Sequence, residues 1–144
     1  MKRELAGSLV FDASAVLDLL YSTRGGVKIR EALKSEKVSA RITEVNLTEV
    51  MYVLCRRLGS KEAEKRVEAL LESRYLDVHP ASGLLRASAE YKCARKISLA
   101  DCFAIALAKE VGVPVLFSAK ESDLIVEMSK EPFDVDILFL EDLA

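Results

Sequence analysis

Ser8-Leu9-Val10-Phe11-Asp12-Ala13-Ser14 is the stretch that decides the fold. The short apolar run Ser8–Phe11 predicts a buried β-strand, and Asp12 ends it. Ala13–Tyr21 follows with apolar residues at helical spacing, so the chain passes from a strand directly into a helix. This succession predicts the first part of a crossover between parallel strands.

The same alternation of strands and helices continues along the chain. Further strands are predicted at Val38–Ile42, Tyr75–His79, Pro114–Ser118 and Val135–Leu140. After a loop at Ser22–Gly26, helices are predicted at Val27–Ser35, Glu44–Leu58, Ser60–Arg74 (with Ser60 as the cap), Ser82–Ala94, Leu99–Val111 and Ser122–Met128. This order predicts a three-layer α/β/α fold with a four- to five-stranded parallel sheet. No linker or repeat divides residues 1–144, so we expect one domain.

Composition narrows the class of protein further. Of 144 residues, 51% are apolar and 31% are charged, which excludes a disordered chain. No apolar run is long enough to span a membrane, and the start resembles no signal peptide, so we expect a cytoplasmic protein with no membrane partner. The three cysteines form no CxxC pair, and the net charge of −2 requires that any nucleic acid be held by a local basic patch or through metal.

Acidic residues fall near the ends of the predicted strands. Asp12 follows the first strand, Glu49 lies in the helix after the second, and Asp101 begins the second helix after the third. Ligands of open parallel sheets bind outside the carboxyl ends of the strands. Each position also has a structural interpretation, since Asp12 can cap the first helix and Ser98 can form a capping box with Asp101. Glu49 and Asp101 are nevertheless predicted on apolar helix faces, where an unpaired carboxylate is costly.

A cluster of carboxylates must bind cations or have raised pKa values. Because the candidate ligands are carboxylates and the single histidine, His79, lies elsewhere in the sequence, the oxygen ligands favour Mg²⁺ or Mn²⁺ over zinc. Such ions activate water for the hydrolysis of phosphodiesters. A dinucleotide-binding domain is excluded, because Asp12-Ala13-Ser14 stands where its glycine motif would be.

Four stretches resemble the motif regions of PIN-domain ribonucleases, and most closely those of the VapC toxins of VapBC toxin–antitoxin systems. These stretches are Leu9–Ser14, Leu47–Tyr52, Ser98–Ala108 and Val115–Ser118. The resemblance implies an endoribonuclease that uses Mg²⁺ or Mn²⁺ to hydrolyse RNA. It also implies a homodimer and a small antitoxin protein as a partner.

The resemblance also implies roles for individual residues. The first three acids of the family fall on Asp12, Glu49 and Asp101, which would be catalytic and metal-binding, and the supporting hydroxyls fall on Ser14 and Ser118. The fourth acid position holds Lys120, with Glu121 next to it as a substitute metal ligand. A lysine beside the metals leaves open an alternative, a catalytically weakened or inactive PIN-fold protein that binds RNA or serves as a scaffold.

Basic and apolar residues complete the expected surfaces. Substrate contacts are predicted at Arg24, in the Gly–Gly loop, and at Arg56, Lys96 and Lys120. The early helices carry more large apolar side chains than one buried face needs, which favours a dimer interface. The residues concerned are Leu17, Leu20, Tyr21, Met51 and Tyr52.

Overall fold

The central layer of the protein is a five-stranded parallel sheet, seen in a computed structural model that describes residues 2–144. The strands are β1 (Gly7–Phe11), β2 (Val38–Thr43), β3 (Leu76–His79), β4 (Val115–Phe117) and β5 (Ile137–Phe139). They lie in the order β3-β2-β1-β4-β5, and every neighbouring pair is parallel. The predicted parallel sheet is confirmed.

Seven α-helices connect and cover the strands within the described residues. They are α1 (Ala13–Tyr21), α2 (Arg24–Lys34), α3 (Glu44–Leu58), α4 (Ser60–Ser73), α5 (Leu85–Ala94), α6 (Leu99–Val111) and α7 (Ser122–Lys130). Short 3₁₀ turns lie at Ser82–Leu84 and Leu140–Asp142. No helix of residues 2–144 combines the length and the apolar character that crossing a membrane requires.

The two faces of the sheet are buried in separate hydrophobic clusters. Leu9 and Phe11 of β1 face one cluster, together with residues of α1 to α4, whereas Val10 faces the other, with most of α6. Side chains alternate along a strand, so both faces of β1 are apolar because both are covered. These two clusters confirm the predicted three-layer α/β/α arrangement.

The direction of the sheet order reverses between β1 and β4. From β1 the chain adds β2 and β3 on one side, then crosses to place β4 and β5 on the other. The backbone N–H of Asp12 donates to the carbonyl of Leu116 at 2.9 Å, which joins the ends of the two strands. The carboxyl edge at this reversal is where such sheets bind ligands.

Helix α2 begins earlier than the sequence indicated. Glycines in succession predicted a loop, but Arg24 is the first helical residue and the Thr23 hydroxyl caps the helix by accepting from Gly26 N at 3.0 Å. A Cβ at residue 26 would lie 1.8 Å from the carbonyl oxygen of Asp18. Glycine is therefore present because α2 approaches the backbone of α1 closely.

The start of α4 also differs from the prediction. Ser60 was expected to cap this helix, but it is the first helical residue, and the cap position belongs to Gly59 at φ 86°. Gly59 ends α3 and precedes α4 directly, so a single residue reverses the chain between the two helices. Glycine suits this position because its φ is positive.

Candidate metal centre

Asp12 lies at the centre of the carboxyl edge and is almost fully buried, with 3% of its surface exposed. Its Oδ2 accepts from the backbone N–H of Ser14 at 3.1 Å and from the Ser14 hydroxyl at 2.7 Å. Asp12 therefore caps α1, as one of its two interpretations predicted. Since Oδ2 makes both of these bonds, the cap leaves Oδ1 for other partners.

Asp101 approaches the same point from the first turn of α6. Its backbone N–H donates to the Ser98 hydroxyl at 3.1 Å, so the serine of the predicted capping box caps the helix. The side chain is buried, with 6% of the residue exposed. A carboxylate in the first turn of a helix is favoured by the partial positive charge there.

Glu121 supplies a third carboxylate from the residue before α7. One carboxylate oxygen of each of Asp12, Asp101 and Glu121 lies within 4.8 Å of the other two. Glu121 itself is exposed, so it borders the opening of the cluster, whereas the two aspartates form its base. We call these three residues the carboxylate cluster.

Glu49 lies at the margin of this cluster rather than within it. It is half-buried on α3, next to the exposed Tyr52, so the largely apolar face predicted for it is partly open to solvent. Burial raises the pKa of Glu49, and the charges of Asp12 and Glu121 raise it further. The charges of the carboxylate cluster therefore act on Glu49, although Glu49 is not one of its three members.

Lys120, which holds the fourth acidic position of the motif, pairs with an acidic residue outside the carboxylate cluster. Its Nζ lies 3.1 Å from Oδ1 of Asp142, in the C-terminal turn, and its backbone N–H donates to Glu141 at 3.0 Å. The acidic neighbour Glu121 takes the place in the cluster. The role of Lys120 in substrate binding stays a prediction.

Electrostatics within the carboxylate cluster disfavour three negative charges. Burial raises the pKa of Asp12, and burial together with the charges of Asp12 and Glu121 raises the pKa of Asp101 to about 8. Burial, followed by the charge of Asp12, also raises the pKa of Glu121. Without a cation, the carboxylate cluster therefore retains a proton at neutral pH. This proton is shared between neighbouring carboxylate oxygens.

The donor set of the cluster fits a hard divalent cation. All three donors are carboxylate oxygens from three different elements, which is the ligand type that Mg²⁺ and Mn²⁺ favour. The thiol of Cys102 follows Asp101 in sequence, but burial raises its pKa to about 11. At neutral pH this thiol stays protonated and does not compete as a soft ligand.

The two supporting serines join the strand ends beside the cluster. Ser118 N donates to the Ser14 hydroxyl at 3.0 Å, and that hydroxyl donates in turn to Asp12. The hydroxyl of Ser118 donates to the carboxylate of Asp18 in α1. Ser14 therefore contacts the cluster directly, whereas Ser118 supports it through its backbone.

Asn46 was not among the candidate residues, although it contacts the cluster. It is fully buried on α3, and its side-chain amide lies 3.4 Å from Oδ1 of Asp12 and 3.0 Å from the carbonyl oxygen of Ala100. The signal in the sequence was a polar residue three positions before Glu49 on the inward face of the same helix.

The other basic residues predicted to bind substrate lie on the surface. Arg24 begins α2 and lines a pocket of about 490 Å³ together with Lys2 and Lys28. The guanidinium of Arg56 lies over the ring of Tyr52 at 4.9 Å, near the end of α3. Lys96 is exposed in the segment before α6.

Fold and site together define an α/β protein with a carboxylate cluster at the point where the strand order reverses. The family model of the PIN domain matches residues 9–124, more than half of the chain. The chain belongs to the PIN domain family. A comparison with functionally curated proteins gave no match.

Solved structures of VapC and VapBC proteins share this fold. The Mycobacterium tuberculosis toxin VapC20 is 18% identical with a TM-score of 0.64, over 82% of this chain and 93% of that chain. VapBC2 from Rickettsia felis is 9% identical with a TM-score of 0.68, over 91% and 97%. A toxin–antitoxin complex from Klebsiella pneumoniae is 15% identical with a TM-score of 0.60, over 86% and 92%. At these identities the likeness establishes a common fold.

Proposed function

We propose that this protein is a metal-dependent endoribonuclease that hydrolyses phosphodiester bonds of RNA in the cytoplasm, as a toxin of the VapC type. The observation that carries the proposal is the carboxylate cluster, with one oxygen from each of three acids within 4.8 Å at the carboxyl edge of a PIN fold. The similar toxin VapC20 is described as cleaving the sarcin–ricin loop, which supports RNA as the substrate class.

Asp12, Asp101 and Glu121 would hold Mg²⁺ or Mn²⁺, with Glu49 at the margin of the site. When bound, such an ion lowers the pKa of a coordinated water and stabilises the charge that builds up on a phosphodiester. Ser14 holds Asp12 by two hydrogen bonds, so that the carboxylate keeps one orientation. Asp101 must release the proton that its raised pKa retains, so the cation and the proton compete for the same oxygens.

The alternative of an inactive RNA-binding or scaffold protein rested on Lys120. Because Lys120 contacts Asp142 and Glu121 joins the cluster, the lysine no longer replaces an acidic ligand. Because Glu121 supplies the acidic ligand, an active enzyme is favoured over an inactive protein. An inactive RNA-binding protein remains one of the two results that the cleavage assay distinguishes.

Two kinds of partner form part of the proposal. A small antitoxin protein is proposed because several proteins of this fold were solved as toxin–antitoxin complexes. A homodimer is proposed on the exposed side chains of Met51 and Tyr52, which are 41% and 46% exposed on α3. The remaining three residues of the expected interface pack partly against the core, which makes the free apolar surface smaller than the sequence indicated. They are Leu17, Leu20 and Tyr21.

A cleavage assay with Mn²⁺ on structured RNA tests the function. Wild-type protein should cut the RNA, chelation of the metal should stop cleavage, and Asp12→Asn or Asp101→Asn should lower the rate by at least about 100-fold, since each removes one ligand charge. Glu110→Gln is the matched control, because Glu110 is an exposed acid at the other end of α6. RNA binding without any cleavage, in the presence of Mn²⁺, would identify a binding protein instead.

A further inference from the structure

The side chain of Asn46 connects three elements beneath the carboxylate cluster. It lies in the first turn of α3 and is fully buried. Its Nδ2 donates to Oδ1 of Asp12, at the end of β1, and to the carbonyl oxygen of Ala100, in the first turn of α6. Its Oδ1 accepts from the Thr43 hydroxyl at 2.5 Å. A single amide group therefore contacts all three elements.

The orientation of this amide follows from its partners. The backbone carbonyl of Ala100 can only accept a hydrogen bond, so the group that faces it must be the NH₂, and the same group faces Oδ1 of Asp12. The Thr43 hydroxyl already accepts from Asn46 N at 3.0 Å, and its proton is directed to Oδ1. Every hydrogen-bonding atom of this buried side chain thus has a partner.

These bonds act on the two aspartates at the base of the cluster. Ala100 immediately precedes Asp101, so the bond to its carbonyl fixes the turn of α6 that carries the second carboxylate. The bond to Asp12 uses the oxygen that its helix cap leaves free. Asn46 therefore bridges Asp12 and the residue before Asp101, and it does so with a neutral donor that adds no charge.

We propose that Asn46 is a positioning residue for the metal centre, which holds Asp12 and Asp101 at the separation that one divalent cation requires. The inference rests on the proposed function and assigns a role to a residue outside the acidic set. Substitution of groups that orient metal ligands costs about 10- to 100-fold in metal affinity. A loss of that size is expected here even when the fold survives.

Mn²⁺ titration by calorimetry tests the inference with Asn46→Leu, which keeps the branching of the side chain and removes its hydrogen bonds. We expect the Kd for Mn²⁺ to rise at least tenfold. In the cleavage assay, the apparent KM for Mn²⁺ should rise more than kcat falls, because saturating metal restores the centre. If Asn46→Leu does not fold, Asn46→Ala replaces it in the same measurements.

Val67→Ala is the matched control for stability, because Val67 is buried in α4 away from the carboxylate cluster. It should lower the melting temperature and leave the Kd for Mn²⁺ unchanged. If the Asn46 variants behave like this control, with Kd within twofold of wild type, Asn46 has only a structural role and the inference is overturned. If wild-type protein itself binds no Mn²⁺, the proposed function fails as well, so the two failures differ in the behaviour of the wild type.

Discussion

Lys120 and Glu121 are adjacent in the sequence, but their side chains belong to different parts of the structure. Nζ of Lys120 lies 3.1 Å from Asp142, whereas the carboxylate of Glu121 lies within 4.8 Å of Asp12 and Asp101. The acid that completes the cluster therefore follows β4 one position later than the motif indicated. A shift of one residue in an extended segment turns a side chain to a different side.

This relationship predicts opposite results for the two neighbours. Glu121→Gln should weaken Mn²⁺ binding by about 10-fold or more, because it removes the charge of one donor. Lys120→Met should change the Kd for Mn²⁺ by less than twofold, since its ammonium group is directed to Asp142. Calorimetric titration of both variants measures the difference, and equal losses of affinity would place Lys120 at the centre after all.

The stability of the metal-free protein should fall as the pH rises. Burial and neighbouring charges raise the pKa of Asp101 from 3.8 to about 8 in the folded state. Between these values the folded protein binds more protons than the unfolded chain, so the free energy of unfolding decreases with pH. We expect a loss on the order of 2–4 kcal/mol between pH 5 and pH 8.5, measured by urea denaturation with a chelator present.

Asp101→Asn provides the control for this pH profile. Its amide carries no charge, and it also relieves the repulsion on the other two acids, so the slope between pH 5 and pH 8.5 should become much smaller. A variant that kept the wild-type slope would show that the pH dependence originates outside the carboxylate cluster.

Divalent metal should stabilise the fold. An ion that binds only the folded state adds about 2.7 kcal/mol at a concentration 100-fold above Kd, which corresponds to roughly 5–10 °C in melting temperature for a protein of this size. Differential scanning calorimetry with and without millimolar Mn²⁺ measures this shift. It should nearly vanish in Asp101→Asn, and an unchanged melting temperature of the wild type would argue against a metal centre.

The adjacent glycines of α2 should tolerate substitution very differently. Gly26→Ala places a Cβ 1.8 Å from a backbone oxygen of Asp18, so the two helices must separate, at a cost of about 2–4 kcal/mol. In Gly25→Ala the new methyl group meets only the side chain of Leu140 at 2.6 Å, which can rotate. Urea denaturation of both variants should show the larger loss at residue 26, and equal losses would contradict the close approach of α1 and α2.

The proposed homodimer predicts a particle of twice the chain mass in light scattering at tens of micromolar. Met51→Glu combined with Tyr52→Glu should produce monomers. The introduced carboxylates of one protomer would face those of its partner across an otherwise apolar interface. Val126→Glu serves as the comparison, since Val126 is similarly exposed but lies on α7. Monomers from this substitution alone would move the interface to α7.

The sequence predicted the elements of the fold well because their apolar patterns are strong. Short apolar runs such as Leu9–Phe11 indicated strands covered on both faces, and the structure places both faces of β1 in hydrophobic clusters. The lateral order of the strands was not predictable, because it depends on which side of β1 each crossover returns to. The early start of α2 was not predicted, because two successive glycines usually indicate a loop. Their role in close packing depends on α1, which the local sequence of α2 does not show.

The site was predictable where the backbone alone determines the direction of a side chain. Asp12 ends a strand and Asp101 lies in a first helical turn next to its cap, and the structure places their carboxylates together. Glu49 depends on the rotation of α3, where its neighbour Asn46 is buried and its neighbour Tyr52 is exposed. Asn46 was missed because an amide gives no charge signal, and its importance arises only from contacts between elements distant in sequence.

Helix α6 has a consequence for the time scale of the centre. Every residue from Asp101 to Ala108 is buried, so the carboxylate of Asp101 is attached to a helix enclosed on all sides. Segments of this kind open only when much of the protein unfolds, and their amide hydrogens exchange most slowly. The two aspartates at the base of the cluster should therefore keep their positions between binding events. An arriving cation then meets ligands that are already in place. Its association rate should be limited by dehydration of the ion rather than by folding of the site.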